Sequence, residues 1–528
     1  MLQINLWARR TLAATVSLFV ILAGWLPAAT VTHQEATKAA ITHIQSMTNV
    51  WSQLPYLENQ TITVDKLKEL CETESNQLLG YVAELTPRGF VVLSGNTQLA
   101  PIIAYSYCCN FPWEGDPDNI LLCMLKTDLA LREKAVSITD ANILSANNSS
   151  WENYLAGEVL LELTGQWPSP GSTHTGGWVE TTWRQTYPYN AYCPKDPGTG
   201  KRCVVGCVAT AMSQIVDYHS DRRNYMSDIQ LYRYDRYVSM MTSPYIRIDQ
   251  DSSTYDFPSF NALNGYLVDL RNIYLADSTP GYYDVAALAF TCGIFVKMHY
   301  SSSGSGTNVD RVSFALMFKF GYPSAMNVDK NTAWFYDTLS QNMKDALPAE
   351  LGIHYPDGSN GHAIVCDGLR EIEGEDDQYH LNFGWGPDSP GPITTAWYVL
   401  PQGMPLGYRV ISGGVLSIRP PEGSYVAERA EPRPCRSFIE QLSPTLQIAP
   451  AALTLSYGLP YPARVRLKIY DINGRMIKTL LDEDMPAGYH QTEWDTRDRE
   501  GREVASGIYF CVLETKEGIY TTKAVVIR

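Results

Sequence analysis

The 528-residue sequence predicts an α+β chain in several domains, on three observations. Val208, Ala211, Met212, Ile215 and Val216 recur at helical spacing directly after Gly206-Cys207. Two later runs, Gly361-His362-Ala363-Ile364-Val365-Cys366-Asp367-Gly368 and Tyr379-His380-Leu381-Asn382-Phe383-Gly384-Trp385-Gly386, read as strands. The last eighty or so residues alternate polar and apolar between turn signals, the pattern of a separate small β-sandwich.

In chain order, Arg9 and Arg10 precede the run Leu12 to Leu26, which is apolar apart from Thr15, Ser17 and Gly24, and the small residues Ala28 and Ala29 follow. That is a secretory signal peptide over 1–29, cleaved near Ala29, and the run is short for a membrane span of about 20 residues. Residues 30–167 form the next unit. His33 to Met47 has helical character, with Ala40, Ile44 and Met47 on one face, and Tyr81–Leu85 and Phe90–Leu93 bracket Thr86-Pro87-Arg88-Gly89 as a hairpin. The stretch Gln166 to Gly177 is rich in Pro, Gly and Ser and is expected to be an exposed linker. A third unit spans 168–420; within it, Tyr300 to Gly306 reads as a mobile surface loop. Residues 421–445 are charged and Pro-rich, a linker. In the module 446–528, Arg464–Tyr470 is a strand, Asp471-Ile472-Asn473-Gly474 a turn, and Met476–Leu481 the next strand, with a core around Trp494 and Tyr509.

The chemistry centres on Cys207. A thiol at a helix N-terminus sits in the positive end of the dipole, and with an imidazolium beside it its pKa falls from about 8.5 to roughly 3.5–7.5. His362 is the candidate general base and acid, Asn382 the residue that orients its ring, and Trp385 a shield over that hydrogen bond. A lone cysteine or a lone histidine is ordinarily structural; the conjunction in the order Cys, His, Asn points to nucleophilic catalysis. Cys193 and Cys203 flank the loop 194–202 and are a candidate disulfide. A zinc site from Cys193, Cys203 and Cys207 lacks the paired short spacings such sites use and would consume the nucleophile, so no metal is assigned. The net charge of −15 and a pI near 5.1 argue against nucleic acid as a partner.

The strings around Cys207, His362 and Asn382, together with Trp183-Arg184-Gln185-Thr186-Tyr187-Pro188-Tyr189-Asn190, closely resemble the streptopain family of secreted papain-like cysteine peptidases, over roughly residues 35–415. The resemblance implies a two-lobed papain-like domain, an inhibitory propeptide over 30–167, and an oxyanion hole made by Gln185 with the Cys207 backbone N–H. It places the 300–306 loop near the cleft and Phe383 where relatives often carry Trp, at the substrate pocket. No cofactor is implied. The C-terminal module resembles Ig-like modules of flagellar hook-capping proteins and of sorting domains in secreted bacterial enzymes, in Ile469–Arg475, Pro486-Ala487-Gly488 and Ala505–Tyr509. The expectation is an endopeptidase zymogen, secreted or held at a bacterial cell surface. Its partners are protein or peptide substrates, its own propeptide as inhibitor, and an export machinery such as type IX secretion. Two alternatives use the same residues: a non-catalytic surface binding protein on this scaffold, and a Cys-His acyltransferase.

Overall fold

In the computed structural model the described residues are 30–526, apart from 55–56, 58–59, 114–119, 160, 182, 223–228, 232–234, 236, 242–245, 277, 354–360, 385–394, 401–404, 406–407, 421–437, 442–452, 460–462, 486–487 and 517. The N-terminal leader and Trp385 lie outside them.

The N-terminal region runs α1 (His33–Ser46), α2 (Thr48–Trp51), β1 (Thr63–Cys71), β2 (Leu78–Thr86), β3 (Phe90–Ser94), β4 (Ile102–Ser106), α3 (Ile120–Ala135), α4 (Ala141–Ala156) and β5 (Leu163–Trp167). Thr32 and Glu35 start α1 with a reciprocal capping box, each satisfying the other's backbone N–H. The expected hairpin is β2–β3, and Gly89 takes the positive φ of 114° that its turn requires.

The central region contributes α5 (Cys207–Arg222), β6 (Tyr237–Met240), β7 (Ile246–Arg247), α6 (Ile248–Asp251), α7 (Phe260–Leu275), α8 (Tyr282–Phe295), β8 (His299–Tyr300), α9 (Asp310–Lys319), β9 (Met326–Asp329) and α10 (Phe335–Lys344). Five strands follow: β10 (Ala349–Ile353), β11 (His362–Ile372), β12 (Gln378–Asn382), β13 (Thr395–Val399) and β14 (Ile411–Leu416).

Both regions share one sheet. Its order is β1-β2-β3-β4-β13-β12-β11-β10-β14-β9, with β5 paired to the far half of β11. The join is β4 against β13, where Tyr105 faces Trp397 and Ala104 faces Tyr398. On one face, α5 packs against β10 and β11 with α8 behind it. Side chains alternate across a strand, so Ala363 and Val365 enter this core while Ile364 and Cys366 enter the opposite one under α10. The opposite core continues without a break into Val82, Val92, Met124 and Leu129 of the N-terminal region.

The Gln166–Gly177 segment departs from expectation. Gln166, Pro168, Ser172, Thr173, Thr175 and Gly177 are buried, because β5 is laddered to Leu369–Ile372 and Trp178 N–H donates to the Asp367 carbonyl at 2.7 Å. Composition marks chain that turns readily, and here the turns are packed against a sheet. The 300–306 loop is likewise built in: Val204 N–H donates to the Ser301 carbonyl, and the Ser305 hydroxyl donates to the Val204 carbonyl.

The C-terminal module has β15 (Phe438–Gln441), β16 (Leu453–Leu459), β17 (Ala463–Asp471), β18 (Met476–Met485), β19 (Gly488–Trp494), β20 (Gly507–Thr515) and β21 (Gly518–Val526). They form two facing sheets, β15-β16-β19 and β18-β17-β20-β21. Strand β15 lies inside the stretch expected to be linker and pairs with β16. Trp494 and Tyr509 meet edge to face at 5.2 Å in the core, and Gly474 closes the Asp471 turn at φ 78°.

Candidate active site

Helix α5 begins at Cys207 itself. Gly206 before it has φ 91°, and a Cβ there would lie 2.6 Å from the Met298 methyl, so both conformation and space demand glycine. Strand β11 begins at His362, and the next residue, Ala363, directs its backbone N–H at the Cys207 sulfur. Packing of α5 on β11 therefore brings the start of the histidine strand to the N-terminus of the cysteine helix.

Burial pushes the Cys207 thiol above its ordinary value. The N–H groups of Ala363, Val208 and Cys207 oppose that effect, and Glu350 adds to it. The dipole argument predicts the opposite direction; desolvation outweighs the helix end in this full-length chain. Glu350, on β10, is the feature that the strand pattern hid. It is fully buried, neither carboxyl oxygen has a hydrogen-bond partner among the described residues, and burial holds its pKa well above the ordinary range.

Asn382 closes β12 opposite Val365. Its Nδ2 donates to the Thr181 carbonyl at 3.2 Å, and its Oδ1 accepts from Gly384 N–H at 3.0 Å. Gln185 is half-buried, and its backbone carbonyl accepts from Val205 N–H at 2.9 Å, which ties its loop to the approach to Cys207. Phe383, expected at the substrate pocket, requires correction: it follows the end of β12 and at 1% exposure packs in the opposite core with Tyr379 and Leu381. Cys193 and Cys203 stand as buried free thiols at the two ends of their loop. Among the described residues no group of His, Cys, Asp or Glu gathers as a metal site.

Sequence reasoning missed Gln214. Two turns along α5 from Cys207 and fully buried, it accepts through Oε1 from the Thr181 hydroxyl at 3.0 Å and from Trp183 N–H at 3.4 Å. It thereby links the helix, the Gln185 segment and, through Thr181, Asn382. A polar residue on the apolar face of a helix was the available signal.

A half-buried cysteine at a helix end, packed against a histidine-bearing strand, is an arrangement that suits a thiol hydrolase. Comparison with known proteins points the same way. Residues 183–391 match the Peptidase C10 family, 28–127 the Spi protease inhibitor family, and 443–518 the FlgD Ig-like domain. Streptopain of Streptococcus pyogenes serotype M28 is 25% identical over 377 residues, 68% of this chain and 83% of the relative. The thiol protease/hemagglutinin PrtT of Porphyromonas gingivalis is 29% identical over 217 residues, 40% of this chain and 22% of that one. A solved fragment of Prevotella intermedia prointerpain A aligns over 67% of this chain and 99% of its own length, with 21% identity and a TM-score of 0.42. The chain therefore carries a Peptidase C10 region similar to the streptopains, preceded by a Spi-type propeptide region and followed by an Ig-like region. It is a cysteine peptidase zymogen acting on protein substrates. Among the described residues no helix is long and apolar enough to cross a membrane.

Proposed function

We propose that the chain is the exported precursor of an endopeptidase whose nucleophile is Cys207. His362 takes the thiol proton and returns it to the leaving amine, Asn382 orients the imidazole, and Gln185 with the Cys207 N–H stabilises the tetrahedral oxyanion. The acyl-enzyme is then hydrolysed by water that His362 activates. The observation that carries this reading is the Ala363 N–H directed at the Cys207 sulfur, which seats the His362 end of β11 on the helix end bearing the thiol. Support for latency comes from the Spi-type region, whose strands extend the peptidase sheet through β4 and β13. Trp385, outside the described residues, is assigned the shield over the His362–Asn382 pair.

The proposed division is a leader at 1–29, propeptide at 30–167 and peptidase at 168–420; the linker expected at 421–445 ends before β15, so the module expected at 446–528 starts no later than Phe438. The Spi match opening at residue 28 supports a leader that ends there. Export places the protein in the medium or at a bacterial surface, with the module read by export machinery and Cys193–Cys203 oxidised to a disulfide outside the cell.

The test is substitution in the processed enzyme, assayed on casein. Cys207→Ala abolishes hydrolysis, whereas Cys366→Ala, on the opposite face of the sheet, retains it. Gln185→Ala lowers turnover roughly 10²–10³-fold, the effect of one lost oxyanion donor. Appreciable hydrolysis by Cys207→Ala overturns the assignment.

A further inference from the structure

Helix α5 carries more than the nucleophile on the face it turns to the site. Cys207, Thr210 and Gln214 follow one another at helical spacing and share that face. A Cβ on Gly384, which holds φ 63°, would lie 3.4 Å from Thr210 Cγ2 and 3.9 Å from Gln214 Nε2. This side of the helix therefore backs directly onto the turn that follows Asn382.

Gln214 is 0% exposed, and its two polar atoms are in unequal positions. Oε1 accepts from the Thr181 hydroxyl at 3.0 Å and from Trp183 N–H at 3.4 Å. A backbone N–H can only donate, so the end of the amide that faces Trp183 is its oxygen. Nε2 is buried with no hydrogen-bond partner among the described residues. Thr181, held by its hydroxyl, then acts through its backbone: its carbonyl accepts from Asn382 Nδ2 at 3.2 Å.

A carbonyl can only accept, so it dictates which way round the Asn382 carboxamide sits. The NH2 faces Thr181, and Oδ1 is left as the acceptor, a role it already fills for Gly384 N–H at 3.0 Å. That polarity is the one the chemistry needs, because an imidazolium offers N–H groups and must be oriented by an acceptor. With the carboxamide reversed, an NH2 would meet a ring nitrogen that also donates.

We infer that Gln214 is a positioning residue for the peptidase reaction, a role that rests on the assignment of Asn382 to the His362 ring. It holds Thr181 so that the Thr181 carbonyl fixes the Asn382 carboxamide with Oδ1 as acceptor. Buried two turns from Cys207, Gln214 acts through Thr181 and not on the substrate. The nucleophile and the amide that orients its base are thereby both referenced to one rigid element, α5.

The experiment measures kcat and KM on casein for the processed enzyme, per active site titrated with a thiol-trapping epoxide, so that an unfolded fraction does not count as slow enzyme. Thr181→Val removes the hydroxyl and keeps the side-chain shape, and Gln214→Met removes the acceptor. Each lowers kcat about tenfold and leaves KM within about twofold, the signature of lost orientation at the reacting groups. In an Asn382→Ala background Thr181→Val lowers kcat no further, because the amide it positions is gone. Parental kcat in Thr181→Val or in folded Gln214→Met overturns the inference, as does a Thr181→Val loss that multiplies in full with that of Asn382→Ala. Either result leaves the role of Asn382 standing. Parental kcat in Asn382→Ala overturns that role and the inference with it. The Thr181→Val arms decide alone should Gln214→Met fail to fold.

Discussion

The propeptide and the C-terminal module are both appendages of the peptidase, and they are attached in opposite ways. The propeptide is continuous with it. Its strands extend the peptidase sheet through β4 and β13, its residues share the core under α10, and Arg370 of β11 donates to Tyr105 of β4 and to Gln166 of β5 while stacking 3.9 Å over Trp397. The module is self-contained. Among the described residues its strands pair only with one another, and its core holds only its own side chains. An inhibitor must be held in one geometry against its enzyme, and a backbone ladder with a buried charge does that. A domain recognised by some other apparatus needs only its own fold and a tether.

The comparison predicts two unfolding transitions for the full-length Cys207→Ala chain in calorimetry, one for propeptide and peptidase together and one for the module. Trp494→Ala removes the largest side chain of the module core and costs about 3–5 kcal/mol, all of it from the module transition. Arg370→Ala removes the hydrogen bonds that Tyr105 and Gln166 accept from a charge, at roughly 1.5–3 kcal/mol each, and so costs about 3–6 kcal/mol. That loss lowers the joint transition and leaves the module's where it was. A parent chain whose propeptide melts separately from the peptidase breaks the comparison.

Glu350 sharpens it through pH. Burial raises its folded pKa above the ordinary 4.5, so folding takes up a proton. Below about pH 4.5 the buried acid costs nothing in ionisation; as pH rises from there toward its folded value, stability falls by at most about 1.4 kcal/mol per pH unit. Glu350→Gln removes that fall. Denaturant midpoints measured from pH 4 to pH 8 therefore shift progressively in favour of the variant for the joint transition, and not at all for the module. A constant difference across that range means that Glu350 ionises as readily folded as unfolded.

Periodicity carried much of this architecture. The start of α5 at Cys207, the β2–β3 hairpin, β11 opening at His362, a strand carrying Asn382 and the Asp471–Gly474 turn are all local patterns of apolar spacing and turn chemistry, although β12 ends at Asn382 where the reading ran on to Gly386. What escaped depends on partners distant in sequence. Nothing in Gln166–Gly177 announces that Asp367 and Leu369–Ile372 will bury it, since Pro, Gly and Ser suit a packed turn as well as a free one. Phe383 was read by analogy, and its place in the opposite core lies beyond the end of β12. The raised Cys207 thiol follows from desolvation, a property of the assembled core and not of the helix end. Gln214 and Glu350 are polar residues in apolar runs, and that mismatch was visible without its meaning.

The smallest expected effect is the most exacting test of independence. Strand β15 pairs with β16, so the module begins no later than Phe438, and a truncation must remove β15 with it. Cutting at 446 would leave a strand with unpaired backbone groups and an apolar edge, a hazard for aggregation that has nothing to do with catalysis. Deleting 437–528 takes the whole module away. Because the core around Trp494 holds no peptidase side chain, that deletion leaves kcat/KM on casein within about twofold of the processed full-length enzyme, as expected for sites with no shared partners. Fractionation of the expressing cells then reads the module's own role, as a change in the share of protein at the surface, in the periplasm or in the medium. A larger drop in kcat/KM, with the remaining transition unshifted in calorimetry, means that the module reaches the substrate, and the contrast drawn between the two appendages fails.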